Sequence, residues 1–365
     1  METIHGASSF SLSSDLVSIH ITSEGGQIAP VNFTLGDRIV SPYSLSPWKP
    51  DEIDAGLPVL LKNLRGDFFC LPFGPQEGGE PHGETANHEW KKVSATDDTL
   101  VLDIQASDVS GKITKTISLR EGETALYVEH HIEGVEGQWS YGTHPIIDFS
   151  TIPEGEGRLS ISPFTWASVY PEYFSTPAEG ANQELKIGAI FSDLAEVPLA
   201  DGGTTDLTRY PARPATDDLV MMVSKPATEE QPFAWSACVL DGYVWFALKN
   251  PEDFPATLFW LSNGGRSADP WNSRHTCRVG IEEVCSHFCD GVDLSRKDLL
   301  RNLSIPTTRK FSKENPVTLR IIQAVAAVPE HFGMVESISP DGAGKVKITG
   351  ENGTEVIVPL NWKFI

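Results

Sequence analysis

Three features of this 365-residue sequence predict an all-β architecture, a large antiparallel β-sandwich with few short helices. Turn formers are abundant, 31 Gly and 26 Pro, and they cut the chain into segments too short for most helices. Residues 92–95, 99–104, 111–120 and 124–132 alternate apolar and polar side chains with turn residues between them, the pattern of an antiparallel meander with one wetter face. Residues 219–223, 235–240, 244–249 and 257–262 are instead near-continuous apolar runs of strand length. Such runs suit strands covered on both faces, as in stacked sheets.

Taken in order, residues 10–40 read as short strands with a Gly25-Gly26 turn. Residues 44–56 are polar and Pro-rich, a loop or flap able to cover a site, and lead into the apolar Leu57-Pro58-Val59-Leu60-Leu61. The apolar run 68–74 reads as a short buried strand that carries Arg65 to one end. Residues 81–90 then gather His82, Glu84, Asn87, His88, Glu89 and Trp90. His130 and His131 are strand neighbours and so point to opposite faces. Residues 158–206 are irregular, and their Phe164, Trp166, Tyr170, Tyr173 and Phe174 either line a cavity or seal a sheet edge. In the last third only residues 292–303, with Leu294, Leu299, Leu300 and Leu303, have helical spacing. Residues 317–328 are β-branched and bounded by Pro316 and Pro329, which favours a strand. Asp341-Gly342 and Asn352-Gly353 are hairpin signals, so the tail should form a three-stranded ribbon. With no low-complexity linker, the expected division is a sandwich over 1–310 and, appended to the same domain, a final strand plus ribbon over 311–365.

The formal net charge of −22 argues against nucleic acid and anionic membranes as partners, because both require a basic surface. No apolar stretch reaches the length of a membrane span, and the first residues lack the basic and apolar regions of a signal peptide, so a cytoplasmic location is the default expectation. Five cysteines without an export signal should be reduced thiols. Cys277, Cys285 and Cys289 lie near His275 and His287 in sequence, which raises a zinc site, but no Cys-x-x-Cys pair is present and thiols on adjacent strands are the favoured reading.

No Gly-x-Ser-x-Gly elbow, Gly-x-Gly-x-x-Gly or Walker loop occurs, so triad, dinucleotide and nucleoside triphosphate chemistry have no motif to rest on. The groups that remain are His82, Glu84, His88, His144, Glu282 and Glu283. They allow two readings. Histidines and a carboxylate from several strands can ligate a divalent ion, or the same set can work without metal as general acid and base.

The order of Arg65, Pro81-His82-Gly83 with Trp90, Thr143-His144-Pro145 and Gly280-Ile281-Glu282 resembles the aldose 1-epimerase (galactose mutarotase-like) family. Gly25-Gly26-Gln27-Ile28-Ala29-Pro30 is similar to that family's opening, and the resemblance spans roughly residues 10–310. It implies a galactose mutarotase-like supersandwich that interconverts the anomers of a sugar, with a small-molecule sugar as partner and no metal or organic cofactor. It assigns Glu282 as the base at the anomeric hydroxyl, His144 as the acid at the ring oxygen, His82 as a hydrogen-bonding group near them, and Arg65 as the grip on a hydroxyl. Trp90, Trp260 and Trp271 become stacking platforms for the sugar's apolar face. His88 then falls outside the catalytic set. Two departures stand out: Ile146-Ile147-Asp148-Phe149 follow the His-Pro pair, and Glu283 follows Glu282, so either glutamate could face the cavity. The family's further sugar-binding aspartate has only Asp217 or Asp218 as a match. Alternatives are a carbohydrate-binding protein without turnover and a β-barrel metalloenzyme; a monomer or homodimer is expected.

Overall fold

The computed structural model describes every residue of the chain except Ser175 and the side chain of Glu179. Two large antiparallel sheets dominate. One has nine strands in the spatial order Arg209–Tyr210, Gly157–Ile161, Ala234–Val239, Tyr243–Lys249, Val317–Ala327, Ala125–Glu133, Gly111–Ser118, Thr99–Ala106 and Lys91–Ala95. The other runs Ile190–Phe191, Phe164–Val169, Thr216–Ser224, Ala256–Asn263, Arg278–Cys285, Tyr141–Thr143 and Phe69–Cys70, with Ile146–Asp148 also paired to Arg278–Cys285. A five-stranded sheet of residues 2–40 packs into the same core. The antiparallel sandwich expected from the sequence is the architecture the chain adopts.

Strand parity distributes the side chains. Val220, Met222, Phe259, Leu261, Val279 and Ile281 point from the eight-stranded sheet into the central core, where they meet Leu100, Leu102, Ile113, Ile117 and Ile321 of the nine-stranded sheet. Their neighbours Leu219, Met221, Leu258, Trp260 and Val284 point to the opposite face. That face is covered in turn by Trp48, Leu60, Leu64, Phe68, Trp271 and Phe288, so the sheet is dry on both sides, as its unbroken apolar runs anticipate.

The tail forms the expected ribbon, Val335–Pro340, Lys345–Gly350 and Glu355–Pro359. Its Val335, Ile338, Val346, Ile348 and Val358 close over Tyr127, Trp235, Phe246, Leu248 and Ile322 on the outer face of the nine-stranded sheet. The strand Val317–Ala327 lies in the middle of that sheet, between Tyr243–Lys249 and Ala125–Glu133. Residues 311–365 thus contribute to the sandwich itself as well as covering it.

Local structure departs from expectation over residues 292–303. The helical spacing over 292–303 resolves into a short helix, Gly291–Ser295, and a separate 3-10 turn, Arg301–Leu303. Leu299 and Leu303 are largely exposed there, so no apolar face holds one continuous helix together. The apolar Leu57–Leu61 run becomes the helix Val59–Asn63 at the end of the flap-like loop. Among the described residues no helix is long and apolar enough to cross a membrane.

Candidate active site

A cavity of about 90 Å³, partly open to solvent, lies on the outer face of the eight-stranded sheet. His82, His144, Arg266 and Glu282 supply its polar lining, and Phe68, Leu60, Leu61, Phe174, Trp260 and Trp271 much of its apolar wall. The helix Val59–Asn63 after the Pro-rich loop contributes two of those leucines, and Phe174 comes from the irregular aromatic span.

Adjacent glutamates on Arg278–Cys285 have opposite fates because successive strand side chains alternate. Glu282 points outward into the cavity. Glu283 points into the sandwich, where it is ion-paired with Lys249 and accepts hydrogen bonds from Ser236 Oγ and Thr257 Oγ1, each 2.7 Å away. The structure therefore selects Glu282 as the cavity carboxylate. Gly280, two residues before it, leaves room for that carboxylate, since a Cβ there would come within 2.7 Å of Glu282 Oε1 and 3.1 Å of Trp260.

His144 follows the strand Tyr141–Thr143 and places its Nε2 3.2 Å from Glu282 Oε1. Its ring stacks on Phe68 at 4.6 Å, which fixes the imidazole plane. Its backbone N–H donates to Asp67 Oδ1 at 2.8 Å, while Asp67 Oδ2 accepts from Gln323 Nε2 at 2.6 Å. Gln323 in turn hydrogen-bonds the Tyr43 hydroxyl. A buried polar chain thus anchors the backbone beneath the histidine.

His82 occupies a left-handed conformation at φ +62°, uncommon for a residue with a side chain. Its backbone N–H donates to Gly74 O at 2.7 Å, and its Nδ1 accepts from Gly74 N–H at 3.2 Å. Because that N–H can only donate, the neutral ring must carry its proton on Nε2. The ring sits 5.4 Å from that of His144.

Burial sets the protonation of these groups. It pushes the Glu282 carboxyl up to about 8, with the Arg266 cation opposing the rise. It holds His144 well below the usual imidazole value, helped by His82, and lowers His82 to about 4. At neutral pH the Glu282–His144 pair therefore holds one mobile proton across 3.2 Å.

Several residues singled out in the sequence lie elsewhere. Arg65 is fully buried, and its guanidinium donates to the carbonyls of Asn63 at 2.7 Å, Ile4 at 2.8 Å and His5 at 3.1 Å. It fastens the N-terminal strands and is not part of the cavity wall. Trp90 is likewise buried in the central core, donates to Thr85 O at 2.9 Å and lies under Lys115. Trp260 and Trp271 do line the cavity. His88 is half-exposed beside Glu80 at 2.6 Å, away from His82's cavity, so the pair does not converge as a metal clasp. Cys277, Cys285 and Cys289 carry free thiols, and of the three only Cys289 lines the cavity. Among the described residues no three His, Cys, Asp or Glu side chains gather as metal ligands would.

Arg266 is the polar lining residue that motif order did not reveal, and Asp217 stands behind it. Asp217 Oδ1 lies 3.2 Å from Arg266 Nε and accepts from Trp260 Nε1 at 2.6 Å, while its Oδ2 accepts from Ser262 Oγ at 2.9 Å. Asp218 is directed instead to Arg213 and the backbone of Glu184 and Leu185.

No family model and no curated protein matches this chain. Solved structures do. A galactose mutarotase related enzyme from Lactobacillus acidophilus superposes with a TM-score of 0.56 at 11% identity, over 88% of this chain and 99% of its own. A galactose mutarotase-like protein from Lactobacillus casei gives 0.54 at 11%, over 87% and 100%. The fold is that of the galactose mutarotase-like proteins. A candidate aldose 1-epimerase from Escherichia coli K12 extends the same likeness, with a TM-score of 0.59 at 14% identity over 88% and 99%. A galactose mutarotase-like sandwich thus accounts for nearly the whole of each matched structure, at identities where the likeness is one of fold.

Proposed function

We propose that the chain is a carbohydrate-active isomerase of the aldose 1-epimerase type, interconverting the anomers of a sugar through ring opening and closure. The observation that carries this reading is the Glu282–His144 pair, 3.2 Å apart in the wall of the cavity with His82 beside it. Its one-proton state has two forms, carboxylic acid with neutral imidazole and carboxylate with imidazolium. In the second form Glu282 removes the proton from the anomeric hydroxyl as the bond from C1 to the ring oxygen breaks, and His144 protonates that oxygen. C1 becomes an aldehyde carbon, the C1–C2 bond rotates, and the reverse transfers close the ring on the other face. The number of protons on the enzyme is unchanged over the cycle. His82 Nε2–H is suited to donate to a sugar oxygen, and Trp260 and Trp271 in the cavity wall give the ring apolar contact area.

The test is anomer exchange, followed by polarimetry or magnetisation-transfer NMR over a panel of aldoses. Wild-type protein should accelerate exchange of at least one sugar well beyond a Glu282→Gln control. Equal rates for the two proteins across the panel would remove the reading. Sugar-dependent thermal stabilisation without exchange would reassign the cavity to carbohydrate binding alone.

A further inference from the structure

Arg65 is the arginine that motif order assigns to the sugar, yet three backbone carbonyls take up its guanidinium outside the cavity. The cavity's own cation is Arg266. Its guanidinium carbon lies 4.6 Å over the Phe174 ring, 4.9 Å over Trp271 and 5.4 Å over Trp260, so the cation is packed among three aromatic rings. Asp217 approaches it from behind at Nε, 3.2 Å away, without a hydrogen bond there. The supporting turn is rigidly placed. Gly265 N–H donates to Thr216 O at 3.1 Å, Asn182 N–H to Gly265 O at 3.0 Å and Ser267 N–H to Gly180 O at 2.9 Å. A Cβ at Gly265 would come within 2.3 Å of the Thr216 backbone, so only glycine lets the turn lie this close to the strand.

We propose that Arg266 takes the sugar-gripping role, its two terminal nitrogens holding adjacent hydroxyls, and that its pairing with Asp217 restricts the site to uncharged sugars. The proposal rests on the isomerase reading for its ligand class. A planar guanidinium presents parallel N–H donors at the spacing of two neighbouring oxygens, and one already packed among three rings loses little freedom on binding. Its charge is already matched by Asp217. The Glu282–His144 pair, with its one proton, adds no net charge in either of its forms, so a phosphate or carboxylate on the ligand would meet a cavity with no surplus cation, within a chain of net charge −22. Uncharged hydroxyls need no such cation.

The experiment measures binding by titration calorimetry and anomer exchange by NMR for neutral aldohexoses, their 6-phosphates and the matching uronic acids. Wild-type protein, Arg266→Met, Arg266→Lys and Asp217→Asn are compared. Wild-type protein should favour the neutral sugars. Arg266→Met, which keeps the aliphatic stem, should weaken their binding at least tenfold, expressed as raised KM more than lowered kcat. Arg266→Lys should recover only part of that loss, because a single ammonium cannot span two hydroxyls. Asp217→Asn frees the guanidinium's charge and should shift preference at least tenfold toward the anionic sugars. Unchanged neutral-sugar binding in Arg266→Met, or tighter wild-type binding of a 6-phosphate than of its neutral parent, overturns the proposal. Binding without exchange would sink the isomerase reading while the Arg266→Met binding ratio still decides the role of Arg266. Absence of binding to every sugar in the panel would overturn both.

Discussion

Replacing Glu282 with glutamine should slow anomer exchange by orders of magnitude and at the same time stabilise the protein at alkaline pH. The carboxyl's value rises from 4.5 to about 8 on folding, through burial. A group raised in the folded state contributes fully below its unfolded value, and that contribution is lost as pH climbs through the folded value. At about 1.4 kcal/mol per unit, the wild-type protein forfeits up to about 5 kcal/mol between roughly pH 4.5 and pH 8. Glutamine has the same shape, can donate to His144 Nε2 in place of the carboxylic acid, and never ionises. Wild type and variant should therefore have similar stability near pH 4.5, with the variant ahead by several kcal/mol at pH 9. Denaturant unfolding at the two pH values measures the difference, and anomer exchange should fall by about 10²–10⁴-fold, the usual worth of a general base. Parallel stability curves from pH 5 to pH 9 would refute the assigned burial cost; a fully active variant would refute the assigned role.

Three further outcomes follow from the same geometry. The pH profile of kcat/KM should fall above about 8, as the mobile proton leaves the Glu282–His144 pair, and stay level well below pH 6.5 because His144 resists a second proton; a rate that rises through pH 8 would mean that Glu282 acts alone as a carboxylate. Arg65→Met should cost about 2–4 kcal/mol of stability in denaturant unfolding by stranding carbonyls of Ile4, His5 and Asn63, while folded protein keeps its kcat. Glu283→Gln should cost about 3–5 kcal/mol, because buried Lys249 is left without its counter-charge, and sugar affinity in the surviving folded protein should match wild type.

The sandwich was legible because its signals are local. Period-two alternation, unbroken apolar runs and Asn-Gly or Asp-Gly turns depend on neighbours a few residues away, and the strands and ribbon formed where those signals lay. Motif order likewise led to His82, His144 and Glu282, which the fold brings to one cavity. Assignments that depended on distant partners were not legible. Arg65 is engaged by carbonyls some 60 residues upstream, and Trp90 is enclosed by a core assembled from several sheets. Arg266 sits in a Gly-rich turn with no periodic pattern, and its meaning depends on Phe174, Trp271 and Asp217 arriving from elsewhere. The choice between Glu282 and Glu283 was half visible. Val279 and Ile281 mark the core parity and Glu283 shares it, but a core-facing glutamate becomes credible only once Lys249 lies opposite.

That pair of glutamates shows where the chain withholds complementarity. Both carboxyls are buried on one strand, within one residue of each other. Glu283 receives a lysine and two hydroxyls, the full set of partners a buried charge needs, and joins the two sheets through the core. Glu282 receives an imidazole that burial itself keeps neutral, and a cation already claimed by Asp217. Its ionisation is thus left unfavourable in a structure that satisfies its neighbour completely. A fold optimised for stability alone would treat the two alike; leaving one carboxyl close to neutrality in its protonation, beside a second proton-carrying group, is the arrangement that acid–base chemistry requires.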